Sequence, residues 1–292
     1  MRWQERRERL RAVLAGEQCV HPASVFDTAS ARIAESLGFE AGMLAGSVAS
    51  LAVLGAPDLI LLTLSEFAAL TYRICRGTAL PLIVDADHGY GNALNVQRTI
   101  EELENAGVAL VTIEDTRLPR GFGEAKPELV SLEEGMGKMR AALAARDDPA
   151  LIIAGRTTVS LAGVAGAIAR AQAYRAAGVD AVFFAGLRTR AELAAIAAAV
   201  PPPILLGGAP PDLADRATLA AHGVRVSLQP HLTFSAAISA IHATLKALRE
   251  GADPRSLAGA APPSLLAGIA REKDYEGAIA RFLREPLSAS PR

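Results

Sequence analysis

The chain has 292 residues, with 30 lysines and arginines against 31 aspartates and glutamates, a formal charge of -1 at pH 7. So balanced a charge offers no field for nucleic acid or anionic lipid, and no apolar stretch reaches the length of a membrane span or forms a signal-peptide core within residues 1–20. Two cysteines, Cys19 and Cys75, are too few for a disulfide scaffold and read as buried thiols of a cytoplasmic protein.

Arg2, Arg6, Arg7, Arg9 and Arg11 interleave with acids and with Leu10 and Val13, which predicts an amphipathic helix over residues 4–15 rather than a binding arm. Cys19–Ala23 reads as a first strand, Asp27–Leu37 as a helix stopped by Gly38, and residues 39–45 as a second strand ending at Gly46-Ser47. Pro57-Asp58 makes a turn, and Thr63 or Ser65 caps a helix running to about Arg76. A third strand spans residues 80–85, followed by a helix at Asn95–Asn105 and a fourth strand at Val108–Ile113 that delivers Glu114-Asp115. Residues 116–128, TRLPRGFGEAKPE, are the least regular part of the chain and read as a mobile loop. Ser131 opens a helix to about Ala145, and residues 150–154 form a strand that delivers Arg156.

The alternation then repeats. Helices at 163–177, 190–199 and 212–221 separate strands at Ala181–Ala185, Pro203–Leu206 and Val224–Leu228, the last delivering Gln229 and His231. A long helix to about Glu250 and a last one over 264–284 complete the chain. Eight apolar strands, each followed by a helix, predict a single (β/α)8 TIM-barrel domain over residues 1–292 with an N-terminal helix. An open dinucleotide-binding sheet should place a glycine-rich turn after its first strand, and residues 24–28, SVFDT, have none.

The chemistry concentrates at residues 80–92, LPLIVDADHGYGN. In extended backbone Asp85 and Asp87 point the same way, and two like charges side by side call for a hard divalent cation. The plainer alternative is a polar loop whose aspartates cap a turn and the next helix. In a barrel the carboxyl ends of all strands share one mouth. There Asp85, Asp87, Glu114 and Asp115 would meet Arg156, Gln229 and His231, with Ser47 and Asp58 from the loop after the second strand. Such an oxygen-lined site suits Mg²⁺ or Mn²⁺, whereas zinc would want a His/Cys cluster. Arg156 reads as the grip on a substrate carboxylate, or else as a structural partner of Glu114 or Asp115. His231 reads as functional or as a helix cap. His88 would orient its loop, Tyr90 wall the pocket or pack, and His21, His222 and His242 serve structure. A carboxylate substrate on a divalent ion suits enolate chemistry, and composition does not choose among decarboxylation, aldol-type cleavage and phosphoryl migration.

Gly55-Ala56-Pro57-Asp58, the run DADHGYGNALNVQRT from Asp85 to Thr99, Ala106-Gly107-Val108-Ala109 and Ile113-Glu114-Asp115 resemble the isocitrate lyase/phosphoenolpyruvate mutase superfamily. The likeness extends from about residue 5 to 285. It implies an Mg²⁺-dependent barrel acting on 2-oxo or 2-hydroxy carboxylates, and a homotetramer, a dimer of dimers with a domain-swapped eighth helix, in which residues 231–285 serve oligomerisation. It implies Asp85 as direct metal ligand, Asp87 and Glu114 as holders of metal-bound waters, and Arg156, Gly46 and Ser47 as binders of the substrate carboxylate. Asp58 would lie beside the metal-water network, and residues 116–128 would form a gating loop.

That loop departs from the family pattern. Where the lyases carry Pro-Lys-Lys/Arg-Cys-Gly-His, this chain has Pro119-Arg120-Gly121-Phe122-Gly123-Glu124. Phe122 has no exchangeable proton, which argues against isocitrate or methylisocitrate cleavage by the usual route. The Lys-Thr-Asn-Ser loop of the mutases is missing too. The resemblance is to superfamily members that decarboxylate oxaloacetate through a metal-stabilised enolate. His231, at a place where relatives commonly show an apolar residue, is this chain's own candidate to donate to the carboxylate or the enolate oxygen. The alternatives are cleavage of a 2-hydroxy or 2-methyl dicarboxylate, with Glu124 carrying the proton, hydrolysis or mutase chemistry on phosphonopyruvate, and a non-catalytic scaffold.

Overall fold

The computed structural model describes residues 2–210, 213 and 215–283. In chain order the first elements are α1 (Arg2–Ala15), β1 (Ala23–Ser24), α2 (Thr28–Ser36), β2 (Gly42–Leu44), α3 (Gly46–Leu54), α4 (Leu64–Gly77) and β3 (Leu82–Asp85). There follow α5 (Ala93–Asn105), β4 (Leu110–Glu114), α6 (Leu132–Ala145), β5 (Ile152–Thr158), α7 (Val159–Ala177) and β6 (Ala181–Ala185). Then come α8 (Arg190–Ala199), β7 (Ile204–Leu206), α9 (Arg216–Ala221), β8 (Val224–Ser227), α10 (Leu232–Arg249), α11 (Pro263–Ala270) and α12 (Glu272–Phe282).

The eight strands lie in one parallel sheet in sequence order. The seam is closed by Val20, whose N–H donates to Arg225 O at 2.9 Å while its carbonyl accepts from Ser227 N at 3.0 Å. The sheet is therefore a barrel, as the strand–helix alternation predicts. Strand parity sorts the apolar side chains into two layers. Val20, Met43, Ile83, Leu110, Ile152, Phe183, Leu205 and Val226 fill the interior together with Leu10 and Leu14 of α1. Their outward neighbours, among them Leu44, Val84, Val111, Ile153 and Phe184, pack under the helices.

The basic N-terminal run is consumed by this packing. Arg7 donates to Val108 O at 2.8 Å and to Glu104 O at 2.6 Å, and pairs with Asp148 at 2.6 Å. Arg6 donates to Cys75 O at 2.5 Å. These arginines hold α1 across the barrel floor, as the helix reading expects.

Several boundaries are settled or moved by the structure. Of the two caps expected for α4, Thr63 is the one used, because Glu66 returns the bond in a capping box. The segment after β2 is a helix, α3, buried at Gly46 and from Val48 to Ser50 and exposed from Leu51 to Leu54. β5 runs to Thr158, so Arg156 lies within a strand and not beyond its end. The helix expected at 212–221 begins at Arg216, and residues 211, 212 and 214 lie outside the described residues.

The chain parts into two compact units, Met1–Ser235 and Ala236–Arg292, where the sequence reading drew one domain. No change of composition marks the division. The described part of the second holds the rest of α10, α11 and α12, and these helices bury none of their residues. The last helix expected over 264–284 is two, broken at Arg271 with φ 57°, and residues 284 and 285 lie outside the described residues.

Candidate active site

Parity continues past the apolar layer to the mouth. Two residues beyond interior Ile83 stands Asp85, beyond Leu110 Thr112 and then Glu114, and beyond Ala154 Arg156. The ladder sets Asp85 beside Thr112, Glu114 beside Arg156, and Arg156 beside Phe183. Arg156 donates through Nη1 to Asp85 Oδ2, and through Nη2 it pairs with Glu114 Oε2 at 3.0 Å. Its guanidinium lies over the Phe183 ring at 5.4 Å, and Thr112 Oγ1 donates to Asp85 Oδ1 at 3.1 Å. Burial alone would lower the Arg156 pKa, but Asp85 and Glu114 outweigh it and raise it.

After β3 the backbone turns sharply. Asp87 and Tyr90 adopt left-handed conformations, φ 48° and 58°, and Gly89 stands at 78°. A non-glycine residue there costs of order 1 kcal/mol. The turn is held by Gly89 N donating to Ala86 O at 2.9 Å, Glu114 N to Asp87 O at 2.8 Å, and Lys138 Nζ to His88 O at 3.0 Å. It aims the Asp87 carboxylate at the start of α3, where a Cβ on Gly46 would stand 2.9 Å from Asp87 Oδ1. A side chain at position 46 would force the Asp87 carboxylate aside.

The acids outnumber the cation. Burial, then the charges of Asp85, Asp58 and Glu114, push the Asp87 carboxyl up to about 9 against the opposing pull of Arg156. Burial also raises Glu114, with Arg156 opposing. Asp58 sits on the exposed rim and is raised by partial desolvation and by Asp85. Among the described residues, no three His, Cys, Asp or Glu side chains form a ready-made direct ligand set.

Around this centre stand the other expected groups. Gly46 and Ser47 open α3, which has no side-chain cap, so its first N–H groups have no side-chain acceptor from the N-cap. His231 precedes α10, its Nδ1 2.8 Å from Ser24 Oγ. Burial lowers the His231 pKa while Asp85 raises it, which puts the ring within electrostatic reach of the acid cluster. Residues 116–128 form an excursion zipped at its base by a Thr116–Leu129 bridge. At its tip Gly121 N donates to Glu124 Oε2 at 2.8 Å, and Phe122 is fully exposed.

One expected member of the mouth is elsewhere, and another stands at its edge beside His231. Asp115 follows Glu114 and so faces outward. It is fully buried under the helices, accepting from Tyr174 Oη at 2.7 Å and from Arg170 Nη1 at 3.1 Å. Gln229 is exposed and shares with His231 a cavity of about 400 Å³ that His21, Gly207 and Gly208 also line. His21 and His222 bond carbonyls, of Ser227 at 2.7 Å and Thr218 at 2.8 Å, as structural histidines do. Sequence reasoning missed Ser24, Thr112, Phe183 and Lys138. Parity counted from Val20, Leu110 and Ala181 would have found the first three, but Lys138 sits on a helix and carried no signal.

Three comparisons bear on this site. A sequence model described as phosphoenolpyruvate phosphomutase matches residues 10–249. A Bradyrhizobium diazoefficiens protein named oxaloacetate decarboxylase is 57% identical over 275 residues, 94% of this chain and 96% of that one. Among solved structures, the phosphoenolpyruvate phosphomutase of Streptomyces platensis subsp. rosaceus has TM-score 0.86 and 29% identity over 95% of this chain and 99% of its own. A phosphonopyruvate hydrolase complexed with oxalate and Mg²⁺ has TM-score 0.83 and 28% identity over 96% and 99% of the two chains.

Proposed function

The chain belongs to the phosphoenolpyruvate phosphomutase family, and on that footing we propose that it is an enzyme that decarboxylates oxaloacetate to pyruvate and CO2. One observation carries the reading. Asp85 and Glu114 share Arg156 at the mouth, with the excess negative charge of Asp87 and Asp58 beside them. Phe122, which has no exchangeable proton, stands exposed at the tip of the neighbouring loop, and Glu124 there accepts from the Gly121 N–H. The site is thus equipped for a 2-oxo dicarboxylate and lacks the loop cysteine with which the family's lyases cleave a hydroxylated carbon.

The donor set is all oxygen, and its surplus charge fits a hard dication, Mg²⁺ with Mn²⁺ as substitute. Asp85 would hold it directly, and Asp87 and Glu114 through water. Bound there, the ion supplies a Lewis acid for the 2-oxo group. Arg156 and the opening N–H groups of α3 at Gly46 and Ser47 bind the C1 carboxylate. That grip places the bond to C4 where its electrons can pass into the carbonyl as CO2 departs. Asp58 orders water at the rim. The His231 ring donates a hydrogen bond to the C4 carboxylate or the developing enolate oxygen, and solvent supplies the proton taken up at C3. Residues 116–128 close the mouth during turnover.

We place the working enzyme in the cytoplasm as a homotetramer whose eighth helix is exchanged between subunits. What supports this is that α10–α12 bury no residues while presenting Ile238, Ile241, Leu245, Leu266 and Phe282. Both cysteines are free thiols, and among the described residues no helix is long and apolar enough to cross a membrane. Light scattering after size exclusion reads the subunit count, and a monomer would remove the exchange.

The deciding experiment follows Mg²⁺-dependent loss of oxaloacetate with coupled detection of pyruvate, against the metal's own background. A rate well above background that Asp85→Ala abolishes is the expected result. An uncatalysed rate overturns the reading. His231→Gln with unchanged rate constants would remove the histidine's role alone.

A further inference from the structure

We propose that Ser24 is a positioning residue, which donates its hydroxyl proton to His231 Nδ1 and so fixes the tautomer that presents Nε2–H to the substrate. The inference rests on the decarboxylase reading for the use of that donor, but not for the hydrogen bond itself.

Ser24 ends β1 two residues beyond Pro22 and four beyond Val20, which is an interior residue. Strand parity therefore aims its side chain into the barrel. Its Oγ lies 2.8 Å from His231 Nδ1, and that is the hydroxyl's one described partner. A hydroxyl proton needs an acceptor, and a neutral imidazole has one ring nitrogen that accepts and one that donates. If Nδ1 carried the proton, Ser24 Oγ would receive it and its own proton would be left without a described acceptor. With Ser24 as donor, the hydroxyl proton and the Nδ1 lone pair are matched and the ring proton stands on Nε2. Burial of the ring favours the neutral form in which this choice matters, against the charge of Asp85.

The contact is clamped on both sides. Thr233 Oγ1 donates to Ser24 O at 2.7 Å, and the Phe26 and Phe234 rings meet edge to face with centroids 5.1 Å apart. These ties join the end of β1 to the β8–α10 junction across the seam of the barrel. His231 is thereby held in rotamer as well as in tautomer, and a misplaced donor would serve the reaction poorly.

The test combines ¹⁵N-histidine spectra with kinetics. His231→Gln assigns the His231 signals among the five histidines. The native protein should show Nδ1 as the unprotonated nitrogen and Nε2 as the protonated one. Ser24→Ala should admit the other tautomer and lower kcat by about 10- to 100-fold, the usual effect of losing a partner that orients a site residue, with KM changed less. Ser24→Thr, which keeps the hydroxyl, should restore both readouts. If Ser24→Ala fails to fold, Ser24→Cys provides the weak-donor variant and should shift the spectra the same way. A native His231 protonated on Nδ1, or a serine-free variant with native tautomer and native kcat, overturns the proposal. A native protein with no oxaloacetate turnover defeats the decarboxylase reading instead, and the spectra still decide the role of Ser24.

Discussion

Lys138, a buried residue of α6, donates from Nζ to the carbonyl oxygen of His88 at 3.0 Å and so tethers the turn that carries Asp87. Burial lowers the lysine's pKa, while Glu134, Glu114 and Asp115 act to keep its charge. A buried ammonium on a single carbonyl, next to a residue in left-handed backbone, has a positioning purpose.

Lys138→Met keeps the volume and removes the tether. We expect Mg²⁺ affinity, read by titration calorimetry, to fall about 10-fold, with melting of the metal-free protein nearly unchanged. Native affinity in this variant would show that the turn holds itself.

Tyr174→Phe separates the outer layer from the mouth. It removes one of two described donors to fully buried Asp115, and should cost about 1–3 kcal/mol in denaturant unfolding. Gly155 leaves the ring its space, since a Cβ there would stand 2.9 Å from Tyr174 Cδ2. Because Asp115 faces away from the reacting groups, kcat should stay within roughly twofold of native. A large loss of kcat at native stability would place Asp115 back in the site.

The metal-free protein should be unsettled by rising pH. Asp87 is pushed up to about 9 in the folded chain, against about 4 for an ordinary aspartate. A group raised in this way stabilises the fold below its unfolded value, and the contribution is lost as pH climbs through the folded one. Melting temperature without metal should therefore drop between about pH 4 and about pH 9. The rise on adding Mg²⁺ should grow over the same window, because the ion binds the deprotonated form. Asp87→Asn should flatten the metal-free profile. An Mg²⁺ effect independent of pH would contradict this assignment.

Arg156→Lys keeps the charge but loses the fork that reaches Asp85 and Glu114 together. One charge-assisted hydrogen bond is worth about 1.5–3 kcal/mol, so kcat/KM should fall about 10- to 150-fold. Full activity in the lysine variant would mean that charge alone suffices.

Much of the site was legible before folding. The run from Asp85 to Gly91 announced itself because charge and glycine replace an apolar strand abruptly, and the alternation of apolar runs with helices implied the barrel. Capping was legible only where both halves of the exchange are local. Thr63 and Glu66 define a start that Ser65 alone equally suggested. The extent of β5 was not legible, since Arg156 and Thr157 look like loop residues until their neighbours on β4 and β6 are known.

The sequence by itself determined the strand count, the family, and the identity of Asp85, Asp87, Glu114 and Arg156 as a chemical set, because these follow from local periodicity and from contiguous residues. Only the tertiary structure decided which faces of those strands meet. Glu114 and Asp115 are adjacent in the chain, yet one turns to the mouth and the other to Tyr174 beneath the helices, since successive side chains of a strand point opposite ways. Ser24 and His231, 207 residues apart, touch because closing the barrel brings its first strand beside its last. No local pattern encodes a contact that exists only once the seam is shut.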